Sequence, residues 1–84
     1  MYIRLEKISP AQNQYRFYSL TIAQTLFSEW AVIKEWGRLG AKSGQRRTEW
    51  FSSFETALEA LEAIKQQKER RGYVVCPEQL LLPL

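Results

Sequence analysis

Apolar and polar residues alternate along four segments within the first 51 residues of the chain, and a period of two is typical of β-strands. The alternation predicts strands over residues 2–8, 15–23, 29–39 and 45–51. Residues that favour turns lie between them, notably Pro10 and Asn13 in the first connection and Gly40 and Gly44 in the third. Because the connections are short, we expect an antiparallel meander.

Beyond Ser53 the spacing of apolar residues changes to three and four, which indicates an α-helix with one buried face. The residues on this face are Phe54, Ala57, Leu58, Leu61 and Ile64. Ser52 and Glu55 fit a capping box that begins the helix, and Gly72 is expected to follow its end. Glutamates early in the helix and cations late in it complement the helix dipole.

A long helix and a four-stranded sheet can bury each other's apolar faces, so the expected fold class is α+β. We predict an antiparallel four-stranded meander with the helix packed across one face, followed by a C-terminal extension. Residues 1–76 are interpreted as a single domain and residues 77–84 as an apolar tail, with a short strand near residues 73–75. A chain of 84 residues is long enough for one domain and not for two.

The third predicted strand carries the most informative side chains. By alternation one face presents Trp30, Val32, Lys34, Trp36 and Arg38, whereas the apolar residues of the other face are Ala31, Ile33 and Leu39. We expect this second, apolar set to face the helix. The alternation is expected to break at Glu35, with Gly37 marking a bulge or the end of the strand. Lys34, Trp36 and Arg38 would then project together from the free face of the sheet.

Positive charge is concentrated in the hairpin between the third and fourth predicted strands. The whole chain has a net charge of +3, but residues 34–47 alone contain five cations and one carboxylate. The cations are Lys34, Arg38, Lys42, Arg46 and Arg47. Trp36 lies among them, and an aromatic ring flanked by cations suits stacking on a base or sugar with contacts to phosphate. A second basic cluster near the end of the helix consists of Lys65, Lys68, Arg70 and Arg71.

Each of these features also has a simpler interpretation. A tryptophan is more often a core residue than a ligand-binding one, and a single arginine is usually a solvated surface charge. Trp30 and Trp50 are assigned to the core or to cross-strand pairing, and the late helical cations to the helix dipole. The basic hairpin is the feature that packing explains least, because clustered like charges repel one another.

The composition removes most catalytic chemistry. The chain has no histidine and one cysteine, Cys76, which excludes Ser-His-Asp and Cys-His sites, Cys/His zinc sites and an internal disulfide. We therefore expect a non-enzymatic protein with no cofactor and no metal. No apolar run of about 18 residues is present to span a membrane, and the charged N-terminal segment does not fit a signal peptide. A cytoplasmic location is expected.

The run Trp36-Gly37-Arg38-Leu39-Gly40, followed by Ser43-Gly44-Gln45, resembles the signature of the WGR domain. The similarity covers about residues 2–73 and includes an aromatic second strand, the helix and a closing Gly72-Tyr73. The family is known from eukaryotic DNA-dependent poly(ADP-ribose) polymerases, where it binds DNA at a break and relays that event to the catalytic domain. It also occurs in bacterial proteins. The resemblance implies an antiparallel sheet with one helix packed across it.

The resemblance also implies roles for individual residues. Trp36 would stack on the sugar or base of a terminal nucleotide, and Gly37 would allow close approach of the backbone. Arg38 would contact DNA or a neighbouring domain. The residues near a terminal phosphate would be Lys68, Arg71 and Tyr73.

Two hypotheses of function follow. The first is a DNA-binding module with little sequence specificity and a role in DNA repair, which recognises ends, nicks or single strands through Trp36, Arg38 and the basic hairpin. The second is a protein-interaction module that docks a separately encoded partner through Arg38 and the apolar tail at residues 80–84. It is motivated by the absence of a catalytic domain within these 84 residues. Neither a membrane nor a metal is expected as a partner.

Overall fold

Five antiparallel strands form one sheet, and a single helix packs across one of its faces. The computed structural model describes residues 1–42 and 44–77. In chain order the elements are β1 (Tyr2–Ser9), β2 (Gln14–Gln24), β3 (Trp30–Arg38), β4 (Gln45–Phe51), the helix α1 (Phe54–Arg70) and β5 (Val74–Val75). The strand order is β4-β3-β2-β1-β5. The predicted α+β class and antiparallel meander are confirmed, but the sheet has five strands and not four, because β5 pairs with β1.

Local hydrogen bonds shape the first two connections between strands. Pro10 begins a short 3-10 turn, and Asn13 closes it in the left-handed region with φ 54°. In the connection between β2 and β3, the Thr25 hydroxyl accepts hydrogen bonds from the backbone N–H groups of Phe27 and Glu29, both at 3.2 Å. This turn leaves Phe27 85% exposed and its neighbour Leu26 99% exposed at one end of the sheet.

The helix begins one residue later than the predicted capping box. Ser53, and not Ser52, is the N-cap. Its backbone is extended, and its Oγ atom accepts a hydrogen bond from the backbone N–H of Thr56 at 3.2 Å. The prediction for the other end is confirmed, since Gly72 has φ +98° directly after the C-cap Arg71. The backbone N–H of Tyr73 then donates to the Lys68 carbonyl at 3.0 Å, so the chain leaves the helix beside its last turn.

The core lies between the helix and the face of β3 that carries Val32. Leu61 and Ala57 of α1 are fully buried there, together with Leu5, Leu20 and Val32 of the sheet. The expectation that Ala31 and Ile33 face the helix was therefore wrong, whereas Leu39 lies beyond the end of β3. Trp30 packs against the same core, with its ring 5.2 Å from that of Phe54. This face buries more apolar surface than the other, and its one interior charge, Lys34, is neutralised by Glu49 at 2.6 Å.

The alternation along β3 is unbroken. Its register with β2 runs without a bulge from Trp30 to Arg38, so the predicted break at Glu35 was wrong and Gly37 lies one residue before the end of the strand. Glu35 lies on the open face of the sheet, which the helix does not cover, with its carboxylate 4.0 Å from Arg46. An exposed ion pair makes this position compatible with a regular strand.

The predicted apolar tail, residues 77–84, lies outside the described residues except for Pro77, and the turn residue Ser43 also lies outside them. Within the part of the chain that the structure describes, no helix is long and apolar enough to cross a membrane.

Candidate nucleic-acid interface

A stacked pair of aromatic rings lies where β2 and β3 meet the end of the helix. Tyr18 and Trp36 are opposite each other in the register of β2 and β3, and therefore share the face that the helix covers. Their ring centroids are 5.6 Å apart and their planes differ by 13°. Tyr18 is buried, whereas Trp36 is partly exposed at the margin of the core. The tryptophan is thus held in one orientation while part of its ring stays accessible.

Lys68, in the last turn of the helix, lies over the Tyr18 ring of this pair and near the ring of Tyr73. Its ammonium nitrogen is 4.4 Å from the centroid of the Tyr18 ring and 5.5 Å from that of Tyr73. The two tyrosine rings meet edge to face, with centroids 6.5 Å apart. Cation–π contacts of this kind fix the ammonium group above the aromatic surface. Lys68 takes part in none of the ion pairs found among residues 1–42 and 44–77.

Two further cations, Arg16 and Arg71, lie near Lys68. Arg16 and Arg38 lie directly opposite each other on β2 and β3, on the face that carries Trp36. Burial lowers the pKa of Lys68, and the nearby charges of Arg71 and Arg16 lower it further. Like charges placed opposite each other on a sheet are destabilising. An anion that binds among Arg16, Arg38, Lys68 and Arg71 would reduce the repulsion between these cations.

These side chains border a surface groove of about 250 Å³ at the end of the sheet. It is lined by Arg16, Phe17, Tyr18, Trp36, Gly37, Lys68 and Tyr73. The groove combines flat aromatic surface with Lys68, which cation–π contacts hold in place, and with the exposed Arg16. It can therefore accept a ring by stacking and hold a phosphate next to that ring.

Two glycines next to Trp36 have no room for a side chain. A Cβ at Gly37 would lie 3.2 Å from the Phe17 ring and 3.2 Å from the Gly44 Cα. A Cβ at Gly44 would collide with the backbone carbonyl oxygen of Trp36. The two glycines therefore allow β3 and the start of β4 to approach closely just beside the groove.

We expect Gly44→Ala to lower the free energy of unfolding by about 1–3 kcal/mol, because the new methyl group must push the backbone away from Trp36. Chemical denaturation followed by circular dichroism measures this. The matched control is Gly40→Asn in the same hairpin. Gly40 has φ +82°, which strains any side chain, but no atom lies within 4 Å of a built Cβ. Because asparagine is enriched at positive φ and meets no neighbour here, this control should lose less stability than Gly44→Ala. Equal stability of Gly44→Ala and the native protein would contradict the close approach.

The structure brings together most of the residues that the resemblance implies. Trp36, Gly37, Lys68 and Tyr73 line the groove, Arg38 lies on the same face, and Arg71 is close enough to affect Lys68. This groove lies on the face that the helix covers, at the end of the helix. The prediction that Lys34, Trp36 and Arg38 share one face is confirmed, but that face is not the free one.

The basic residues of the hairpin are more dispersed than the sequence suggested. Lys34 is held by Glu49, with its side chain 15% exposed. Arg46 points to the open face and pairs with Glu35, so it does not belong to the groove. The remaining two, Lys42 in the turn after β3 and Arg47 opposite Lys34 on the helix-covered face, are exposed outside the groove.

Sequence reasoning missed Tyr18 and Arg16 as site residues. Both lie on β2 with even spacing, so alternation alone places them on one face. Their proximity to Trp36 follows from the register between β2 and β3, which is set over the whole length of the hairpin.

The fold and this site together define a class of protein: a small α+β domain with an aromatic, basic groove at one end of its sheet. The sequence model of the WGR domain family matches residues 1–79. The chain belongs to this family, which is a nucleic-acid-binding type of domain. A relative, the uncharacterized protein y4dW of Sinorhizobium fredii, is 33% identical over 69 residues, which cover 82% of this chain and 33% of that protein. The chain thus spans about a third of the length of this relative.

Proposed function

We propose that the chain is a non-enzymatic module that recognises DNA ends, nicks or single strands at the groove beside Trp36. The observation that carries this proposal is the clustering of Arg16, Arg38, Lys68 and Arg71 around stacked aromatic rings. A polyanion that also offers flat rings matches both parts of this surface. Family membership supports nucleic acid as the partner.

The aromatic surface of the groove favours an interrupted strand over an intact duplex. In a continuous double helix each base is stacked on both sides, so an aromatic side chain finds no free ring surface. At an end, a nick or a single strand, the terminal ring or its sugar is accessible. Trp36 is fixed by Tyr18 and reaches the surface at its margin, and therefore suits contact with such a terminal nucleotide.

The proposal is tested by titrating a nicked or recessed duplex at several salt concentrations. If four to six phosphates are engaged, a plot of log affinity against log salt should have a slope of about −3.5 to −5.5. A covalently closed circular duplex of the same sequence, without ends, nicks or unpaired nucleotides, is the control, and it should bind more weakly. Equal affinity for the two substrates would contradict recognition of ends, and no binding at low salt would contradict the whole proposal.

We expect Lys68→Gln to reduce the magnitude of the salt slope by about 0.9, which corresponds to one lost phosphate contact. The matched control is Arg70→Gln, which removes the same charge two residues along the helix. Arg70 is exposed and is not among the residues that line the groove. Fluorescence anisotropy at four or more salt concentrations gives both slopes. Identical slopes for the two variants would show that net charge, and not the position of Lys68, determines binding.

A protein partner that docks through Arg38 is the second candidate. It is favoured by the exposure of Arg38 next to the groove and by the greater length of the relative y4dW, in which the matching region is one third of the protein. The two candidates differ in what Arg38→Ala changes. Loss of DNA affinity supports the first, whereas unchanged DNA affinity with loss of a co-purifying partner supports the second.

A further inference from the structure

Strand β4 presents a long exposed edge. It runs from Gln45 to Phe51, and within the residues that the structure describes β3 is its single neighbour. Six of its seven residues are exposed, and Phe51 is half-buried. Along such an edge every second residue directs its backbone N–H and C=O groups outward, where they can pair with another strand.

The side chains of β4 are complementary to one another about the middle of the strand. Thr48 is the central residue, with Arg47 before it and Glu49 after it on the face that the helix covers. On the open face Arg46 and Trp50 are the corresponding pair. If β4 pairs antiparallel with a copy of itself, with Thr48 at the centre, opposite charges lie opposite each other on the face that the helix covers. On the open face a cation then lies opposite an aromatic ring.

We propose that β4 pairs antiparallel with β4 of a second copy of this chain, with the two Thr48 residues opposite each other. Arg47 then lies opposite Glu49 of the second copy, and Arg46 lies opposite its Trp50. Each of these contacts occurs twice about the two-fold axis. The full seven residues pair in this register, so the length of the strand and its charge pattern specify the same alignment.

Neighbouring registers are disfavoured by like charges. The smallest change of register that keeps both helices on the same face of the sheet moves the centre of the pairing by one residue, from Thr48 to Arg47 or to Glu49. Centring on Arg47 puts Arg47 opposite itself, and centring on Glu49 puts Glu49 opposite itself. The register about Thr48 is therefore the one with opposite charges paired.

The ion pair inside the chain does not prevent this contact. Lys34 contacts the Oε1 atom of Glu49 at 2.6 Å. The second carboxylate oxygen is free to accept from the Arg47 guanidinium of the second copy, since a carboxylate accepts hydrogen bonds on both oxygens. The Glu49 side chain is 47% exposed, so it remains accessible to a second chain.

Pairing would produce one continuous ten-stranded sheet with both helices on the same side. From strand spacing and rise per residue, the two Trp36 residues would be about 25 Å apart. Both grooves would then face one side of the dimer. The pairing depends only on β4 and does not rest on the proposed function.

Charge reversal tests the pairing, with sedimentation equilibrium as the readout. We expect the native chain to dimerise, and Arg47→Glu and Glu49→Arg each to raise the dimer dissociation constant at least tenfold. An equimolar mixture of the two single variants should form heterodimers, because each then faces opposite charge. Glu59→Arg, an exposed reversal on the helix, is the matched control and should leave the dissociation constant unchanged. The proposal would be overturned if the native chain stayed monomeric at a concentration of about 10⁻⁴ M or above. It would also be overturned if the mixture of the two variants remained monomeric.

Cross-linking gives a test that does not alter the charges. In a Cys76→Ser background, Thr48→Cys places two thiols opposite each other at the axis, within reach of a disulfide. Mild oxidation should convert this variant to a covalent dimer. In the same background Arg46→Cys should form no covalent dimer, because each residue 46 lies opposite Trp50 of the second copy and the two thiols are too far apart for a disulfide. Equal cross-linking of the two variants, or none at Thr48→Cys, contradicts the register.

Discussion

Trp36→Ala is expected to weaken binding of a nicked or recessed duplex about tenfold to a hundredfold, which corresponds to the loss of one base or sugar stacking contact. The effect is large because the ring is already ordered. It stacks on Tyr18 with 13° between the planes, so the native protein loses little side-chain entropy on binding. Fluorescence anisotropy or calorimetry with one substrate and a fixed salt concentration measures the change.

The same variant is expected to lose stability, because Trp36 packs against the core as well as facing the groove. For a half-buried tryptophan we expect about 2 kcal/mol, below the range for a fully buried one. Trp36→Leu separates the two effects, since leucine keeps apolar contact with the core but removes the aromatic face. Its affinity should fall nearly as far as that of Trp36→Ala, with a smaller change in melting temperature.

The matched control for both variants is Phe27→Ala. Phe27 is 85% exposed in the turn between β2 and β3, at the end of these strands opposite the groove. Its loss should change neither affinity nor melting temperature. If folded Trp36→Leu binds the nicked duplex as tightly as the native protein, the aromatic ring is structural and the proposed site is wrong.

Periodicity was sufficient to locate the main elements of the fold. The predicted bounds of the strands and of the helix differ from the observed ones by one or two residues at most, and β4 has the predicted bounds. The short β5 was suggested only as a strand of residues 73–75, without a partner. Its pairing with β1 depends on where the chain returns after Gly72, which local sequence does not specify.

The choice of which strand face the helix covers was not predictable in this way. Alternation shows that Val32, Lys34 and Trp36 share a face. The charge of Lys34 favoured the interpretation that this face is open to solvent. The neutralising partner, Glu49, lies 15 residues away and reaches Lys34 only through the register of β3 and β4. A charge that is paired across strands can therefore reverse a face assignment that is made one strand at a time.

The candidate site shows the same limit. Trp36 and its neighbours were recognisable from the motif, and Lys68 and Tyr73 from the resemblance. Tyr18, which fixes the tryptophan ring, and Arg16, which faces Arg38, became visible only once β2 and β3 were aligned. The groove is a product of register together with the end point of the helix, and both are long-range properties.

The placement of the helix can be tested by Leu61→Ala, which should lower the free energy of unfolding by about 2–5 kcal/mol. Leu61 is fully buried in the cluster that includes Leu5, Leu20 and Val32, so its truncation leaves a cavity between helix and sheet. Such a loss is a large part of the stability of a domain this small. Denaturant unfolding at 25 °C measures it.

Leu26→Ala is the matched control, since it removes the same atoms from a side chain that is 99% exposed. It should change the free energy of unfolding by no more than about 0.5 kcal/mol. A difference of 2 kcal/mol or more between the two leucine variants (about the lower end expected for a buried leucine) supports a helix whose Leu61 face packs on the sheet. Similar values would mean that the helix is displaced. Lys68 would then no longer be held above Tyr18, and the groove beside Trp36 would lose the cation that the helix supplies.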